Sequence, residues 1–232
     1  MDDAAAKTIV IIPARNEASR IAPVISGALE HADRIVVVDD GSSDDTGEIA
    51  RGAGAVVLRH RINLGMGGAV RTGCIAAHRL GARYIVTMDA DGQHRPEDIP
   101  SVVTPLAAGE ADIVFTTRSM AMGKSMPIVL NFGNRFFSWL SRALFGIHVR
   151  DTQSGFRAMT REAFEKVCWS ANDYALASEI VFRTARAKLR YREVEIPTIY
   201  LDRHKGTSAL DGLGILIQMF LWRIFPWAYT PR

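Results

Sequence analysis

Along the first half of the chain, short continuous apolar runs alternate with longer stretches whose apolar residues recur at helical spacing. The runs Thr8 to Ile12, Arg34 to Val38, Ala55 to Leu58 and Tyr84 to Met88 are rich in valine and isoleucine. A strand that is apolar on successive residues is one buried on both faces. Between them, Glu17 to Glu30, Asp45 to Gly52 and Gly67 to Leu80 carry the spacing of helices, and a further helix starting near Pro96 leads to a fifth strand at Asp112 to Thr116. This order predicts an α/β protein with a mostly parallel central sheet flanked by helices.

The second half is less regular. A glycine- and methionine-containing stretch from Ser119 to Met126 precedes a helix from about Asn131 to Leu144, a short strand at Gly155 to Met159, and a helix around Ala175 to Leu189. The most apolar segment is the tail from Leu213 to Tyr229, where Leu213, Leu216, Ile217, Phe220, Leu221 and Ile224 fall on one broad helical stripe. A bilayer span needs about 20 mostly apolar residues, and Arg223 followed by Pro226 breaks this one. An interfacial helix is the expectation, with Trp222 and Trp227 at the headgroup level. The expected division is a main α/β body over residues 1–210 and an apolar C-terminal helix over 211–232.

Composition narrows the class. With 232 residues, 48% of them hydrophobic and 23% charged, the chain is long and apolar enough for one sizeable core. A net charge of +3 is too small to imply nucleic acid, although a pI near 9.0 suits a protein that meets phosphate groups or an anionic membrane surface. Cys74 and Cys168 lie far apart without CxxC or Cys/His spacing, so neither a disulfide framework nor a zinc site is indicated. The N-terminal stretch up to Pro13 lacks the basic start of a signal peptide, which places the expected location in the cytoplasm, peripheral to the membrane.

Each predicted strand ends in polar or glycine-rich residues, and the carboxyl ends of parallel strands are where such sheets bind ligands. Asp89-Ala90-Asp91 after the fourth strand is the sharpest of these signals. Two carboxylates there can hold a hard divalent cation that neutralises a diphosphate, and Gln93 adds a third oxygen. After the second strand, Asp39-Asp40-Gly41-Ser42-Ser43-Asp44-Asp45 combines helix capping by Ser43 or Asp44 with an acceptor, Asp39 or Asp40, for a base or ribose. The run Asn63-Leu64-Gly65-Met66-Gly67-Gly68-Ala69 is either a phosphate cradle or a close packing of the following helix, and Arg71 one turn on faces ligand or solvent. Asp151-Thr152-Gln153-Ser154-Gly155-Phe156-Arg157 joins a base or acceptor to a turn and short strand. The cations Arg118, Arg135, Arg157, Arg203 and Lys205 are dispersed, and the histidines show no metal-ligand spacing, His94 alone lying close to a candidate site.

Taken in order, Ile12-Pro13-Ala14-Arg15-Asn16-Glu17, Val38-Asp39-Asp40-Gly41-Ser42, Asn63-Leu64-Gly65, Asp89-Ala90-Asp91-Gly92-Gln93-His94, Asp151 to Arg157, and Arg203 to Ser208 resemble glycosyltransferase family 2. The resemblance is to its GT-A fold and, more narrowly, to the dolichyl-phosphate mannose synthase and polyprenyl-phosphate glycosyltransferase branch. It implies that Pro13, Arg15, Glu17, Asp39 and Gly65, with Asp89, bind a nucleotide diphosphate sugar. It implies that Asp89, Asp91 and Gln93 surround Mg2+ or Mn2+, that Arg118, Arg203, Lys205 and Ser208 approach the acceptor phosphate, and that Asp151 joins Asp89, Asp91 and Arg118 in catalysis. The implied reaction is inverting, metal-dependent transfer to a polyprenyl or dolichyl phosphate, with self-association left open.

Departures concern the donor. Met66 stands where many relatives carry a lysine, Asn131 where mannose synthases often show an arginine, and Ala209 where a lysine commonly follows. Asp151 to Arg157 and Asp211-Gly212-Leu213-Gly214 look closer to relatives proposed to use UDP-glucose or UDP-N-acetylglucosamine than GDP-mannose. The alternatives are a family member with a soluble acceptor such as phosphoglycerate and a non-catalytic nucleotide-sugar binding protein on the same fold.

Overall fold

The computed structural model describes residues 7–119, 128–197 and 209–225. The order of its elements in the first half is β1 (Thr8–Ala14), α1 (Ile21–Leu29), β2 (Arg34–Asp39), α2 (Thr46–Gly52), β3 (Val56–Arg59), α3 (Met66–Arg79), β4 (Tyr84–Thr87), a 3-10 turn at Pro96–Asp98, α4 (Ile99–Ala107) and β5 (Ile113–Ser119). Then come α5 (Ile128–Phe145), β6 (Arg157–Thr160), α6 (Arg161–Val167), α7 (Leu176–Arg186), β7 (Tyr191–Pro197) and α8 (Ala209–Ile224). The α/β expectation holds, with element ends displaced by a few residues.

The described strands form one seven-stranded sheet in the order β3-β2-β1-β4-β6-β5-β7. All pairings are parallel except those of β6, which runs antiparallel between β4 and β5. Alternation sorts the side chains of each strand to two faces. Ile9, Ile11, Val36, Val38 and Ile85 pack under α3, α6 and α7, whereas Val10, Ile12, Ile35, Val37 and Val86 pack under α1, α2 and α4. Gly73 in α3 lets that helix settle on the sheet, because a Cβ there would overlap Ile11.

Two elements escape the sequence pattern. Strand β7 lies at the sheet edge with mixed exposure along Tyr191–Pro197, so neither a continuous apolar run nor a clean alternation marks it. Helix α6 is only seven residues long, too short for helical periodicity to register, and Thr160 caps it by accepting a hydrogen bond from the Ala163 N–H at 3.1 Å.

The apolar tail forms α8, which packs on α5 and α7 through a third cluster containing Leu140, Phe182, Ile215, Met219 and Trp222. The expectation for Trp222 is corrected here. It is buried, 1% exposed, and stacks on Phe182 with ring centroids 5.6 Å apart, because it belongs to the helix face that docks on the body. Trp227 lies outside the described residues. Truncation of a buried aromatic leaves a cavity, so Trp222→Ala is expected to destabilise the protein by about 3–5 kcal/mol, read by chemical denaturation.

Candidate active site

The carboxyl ends of β1, β2 and β4 lie side by side, and each continues into one of the polar segments. After β1, Asn16 takes a left-handed conformation with φ 56°, which asparagine tolerates better than most residues. Its N–H donates to Ser42 Oγ at 3.0 Å, its Oδ1 accepts from the Ser43 N–H at 2.9 Å, and the Glu17 N–H donates to Thr46 Oγ1 at 2.8 Å. Stitched in this way to the turn after β2, Glu17 is buried, as is Pro13 within β1, while Arg15 is exposed.

Asp39 and Asp40 have different duties. Asp40 accepts from the Leu64 and Gly65 N–H groups at 2.8 and 2.9 Å and pairs with His60 Nδ1 at 2.7 Å, so both oxygens hold the glycine loop in place. Asp39 is fully buried; Oδ1 accepts from the Ser42 N–H at 2.8 Å, and Oδ2 has no hydrogen-bond partner, the Arg59 Nε lying 3.4 Å away. Of the pair, Asp39 keeps acceptor capacity. A cavity of about 250 Å³ next to this turn is lined by Gly41, Ser42, Arg59, His60 and Arg61. Asp44 takes the helix-start role, accepting from the Thr46 N–H at 3.1 Å.

The glycine loop packs. The Gly67 and Gly68 N–H groups donate to the Asn172 carbonyl at 2.8 and 3.3 Å, and a Cβ at Gly65 or Gly67 would collide with the backbone oxygens of Asn172 and Ala171. Trp169 Nε1 donates to the Gly67 carbonyl at 2.9 Å, and Arg71 donates to the Ser170 carbonyl at 2.9 Å and Asn172 Oδ1 at 2.8 Å. Arg71 therefore faces protein. The 170–171 segment is in turn held by the buried Glu179, which accepts from the Ser170 and Ala171 N–H groups and pairs with Arg183 at 2.8 Å.

After β4 the two aspartates meet unequal surroundings. The half-buried Asp89 carboxylate lies 3.1 Å from His94 Nε2; because a carboxylate only accepts, Nε2 carries the hydrogen. Burial opposes ionisation of Asp89, but the His94 hydrogen bond and the charges of His94, Arg157 and Arg118 outweigh it and hold its carboxyl below the usual range. Asp91 goes the other way. Burial and then the Asp89 charge push its carboxyl up, Glu17 adds to that, and the Gln93 N–H, donating to Oδ1 at 3.0 Å, only partly compensates.

The segment before β6 supplies the cations. Asp151, 3% exposed, is gripped by Arg118 through Nε at 2.6 Å and Nη2 at 3.1 Å, so the expected base is engaged in a two-point ion pair. Arg157 is also 3% exposed, and its Nη2 donates to the Thr152 carbonyl at 3.0 Å. Burial pushes its guanidinium down to about 10 against the pull of Asp89 and Asp151, so it remains a cation at neutral pH. The sequence places His94 close to the candidate site and Arg157 in the Asp151 to Arg157 segment, but neither is given a role there; the role of each depends on its contact or proximity to Asp89 in the fold.

Among the described residues no group of three or more histidine, cysteine, aspartate or glutamate side chains is arranged to hold a metal ion. Asp89, Asp91 and Gln93 nevertheless offer hard oxygen donors of the kind Mg2+ and Mn2+ take, in a number that leaves positions for diphosphate oxygens. Arg203, Lys205 and Ser208 lie outside the described residues.

The family model described as glycosyl transferase family 2 matches residues 9–168, which includes the polar ends of β1, β2 and β4, the glycine loop and the segment before β6. The chain belongs to glycosyl transferase family 2. This glycosyltransferase is 33% identical, over 93% of its length and 95% of the relative's, to a UDP-N-acetylglucosamine--dolichyl-phosphate N-acetylglucosaminyltransferase of Methanococcus voltae. It is 32% identical, over 97% of its length and 88% of the relative's, to a polyprenol monophosphomannose synthase of Mycolicibacterium smegmatis. In architecture the glycosyltransferase is similar to glucosyl-3-phosphoglycerate synthase of Mycobacterium tuberculosis solved with Mg2+ and UDP, with a TM-score of 0.76, 22% identity, and coverage of 95% of this chain and 80% of that one. Its fold is GT-A.

The raised carboxyl of Asp91 sets a pH dependence. A carboxyl whose folded pKa is raised favours the folded state while protonated, and that contribution is lost as pH rises through the raised value. In chelator at neutral pH, Asp91→Asn is therefore expected to melt at a higher temperature than the parent, and the gap to close as pH falls below the ordinary aspartate range. A variant that melts lower at neutral pH would contradict the electrostatic account.

Proposed function

We propose that this glycosyltransferase moves a sugar from a nucleotide diphosphate sugar to a polyprenyl or dolichyl phosphate with inversion, using Mg2+ or Mn2+ held by Asp89, Asp91 and Gln93. The observation that carries the reading is the pair of unequal aspartates at the carboxyl edge of the sheet, Asp89 kept ionised by His94 and Arg157, and Asp91 left in mutual repulsion with it. A divalent cation supplies positive charge that offsets the leaving diphosphate. Asp39, with an oxygen that accepts no hydrogen bond, serves the nucleoside end, assisted by Pro13, Arg15, Glu17 and Gly65 along the same edge.

The acceptor needs little activation. A phosphomonoester loses its second proton near pH 6, so its oxygen is already an anion at neutral pH and a strong general base is unnecessary. That agrees with Asp151 being tied to Arg118. In this reading Asp151 orients the Arg118 guanidinium, and Arg118, with Arg203, Lys205 and Ser208, meets the acceptor phosphate, leaving alignment behind the anomeric carbon as the main contribution of the chain.

Support for a lipid acceptor comes from the relatives' substrates and from α8. Leu213, Ile217, Phe220 and Ile224 are about half exposed on its outer side, and α5, which packs on α8, adds exposed Phe136 and Trp139. No helix among the described residues is long and apolar enough to cross a membrane. An amphipathic surface of this kind seats on the headgroup layer, next to a lipid-borne phosphate. A soluble acceptor is the second reading, favoured by the similarity in fold to the phosphoglycerate enzyme.

The test is transfer from GDP-mannose, UDP-glucose or UDP-N-acetylglucosamine to a short polyprenyl phosphate, with Mg2+ or Mn2+ and with chelator. One donor is expected to give a chelator-sensitive lipid product, and Asp91→Ala to lower the rate at least about a hundredfold without loss of fold. Donor hydrolysis without lipid product would turn the assignment to a soluble acceptor. Separately, Ile217→Asp combined with Phe220→Asp is expected to cut flotation with anionic liposomes at least about tenfold, since each apolar side chain contributes roughly 1.5–3 kcal/mol when buried; unchanged flotation would remove α8 from the membrane contact.

A further inference from the structure

Asp89 is confined from two sides. On one side stands His94, 5% exposed, whose Nδ1 is enclosed without a hydrogen-bond partner and whose Nε2 meets Asp89 Oδ2 at 3.1 Å. Its ring leans on the fully buried Phe156 with centroids 5.4 Å apart. An unsatisfied buried polar atom costs about 1–3 kcal/mol, so a histidine with a single protein hydrogen bond is a poor choice for packing alone. What the position gains is a fixed donor aimed at one carboxylate oxygen.

On the other side is Gly155. Its φ is not in the left-handed region, so the backbone there does not call for glycine. Space does: a Cβ at this position would land on the Asp89 carboxylate, 2.5 Å from Oδ2 and 2.7 Å from Cγ. The glycine cannot drift away either, because its carbonyl accepts from Thr87 Oγ1 at 2.7 Å, and Thr87 ends β4 two residues before Asp89. The end of β4 and the two residues after it thus carry both the aspartate and the anchor of the backbone that faces it.

We infer that His94 and Gly155 are positioning residues that fix the Asp89 carboxylate in the orientation it presents to the cation and diphosphate, an inference that rests on the reading of Asp89 and Asp91 as metal ligands. Neither touches the ligand; both act through Asp89. Hydrogen-bond partners of metal ligands typically govern about 10- to 100-fold in metal affinity. His94→Phe keeps the packing on Phe156 and removes the donor, His94→Gln returns an N–H near the position of Nε2, and Gly155→Ala displaces the carboxylate without straining the backbone.

The readout is Mn2+ binding followed by electron paramagnetic resonance, alone and with UDP or GDP, together with melting temperature in chelator. His94→Phe and Gly155→Ala are expected to weaken Mn2+ binding about 10- to 100-fold, with His94→Gln recovering most of the loss. Melting temperatures of Gly155→Ala and His94→Gln should stay within about 4 °C of the parent, the shift of roughly 1 kcal/mol. Binding within about twofold of the parent in Gly155→Ala, or a His94→Gln variant as weak as His94→Phe, would overturn the inference. Should His94→Phe fail to fold, the other two variants decide. A parent that binds no Mn2+ overturns the metal reading and this inference with it, whereas a parent that binds, an Asp91→Ala variant that does not, and a Gly155→Ala variant equal to the parent overturn the positioning role alone.

Discussion

The antiparallel ladder between β4 and β6 is the constraint from which the rest of the site follows. In an otherwise parallel sheet, its register pairs Thr87 with Arg157 and Val86 with Ala158. That pairing sets Gly155, Phe156 and Arg157 against the residues that follow β4. A parallel strand in the same place would bring its amino end to the opposite edge, and neither the arginine nor the glycine would reach Asp89. The turn before β6 also carries Asp151, and β5 on its far side carries Arg118, so Asp89, Arg157, Asp151 and Arg118 alternate in sign across neighbouring strands.

This alternation explains why two carboxylates two residues apart differ in charge preference. Asp89 has cations and a histidine donor close by, while Asp91 has Asp89 and Glu17. A buried charge is costly, and at Asp91 burial and the Asp89 and Glu17 charges outweigh the Gln93 N–H and the His94 charge, so the carboxylate is under-compensated. On the proposed reading the missing charge is the divalent ion. On that reading the local cost is offset when the cation binds, a pattern common to functional sites.

Strands β1, β2 and β4 were legible because they are buried on both faces and therefore continuous in apolar character, whereas β3, also read from an apolar run, lies at the sheet edge with Val56 and Arg59 exposed. Edge strand β7 was not legible, since a half-exposed strand of Tyr191–Pro197 alternates poorly. The acidic strand ends were legible as well, but not the division of labour between Asp39 and Asp40, which depends on which carboxylate the distant Leu64 and Gly65 amides reach. Gly65 and Gly67 read as a phosphate cradle or as packing, and only the position of Asn172, about a hundred residues on, shows that they pack. Trp222 illustrates the same limit from the other side. An aromatic on an apolar helix suits a headgroup layer or a core, and its stack on Phe182 is a tertiary fact.

The central claim is that Asp89 and Asp91 share one divalent cation with the donor diphosphate. Crystals soaked with Mn2+ and UDP, and separately with Mn2+ and GDP, locate that ion directly by its anomalous scattering. The account predicts an anomalous peak bonded to Asp91 and to diphosphate oxygens, with Asp89 turned towards it from between His94 and Gly155. A nucleotide bound at the same edge with its diphosphate held by arginines alone, and manganese absent or elsewhere, would contradict it.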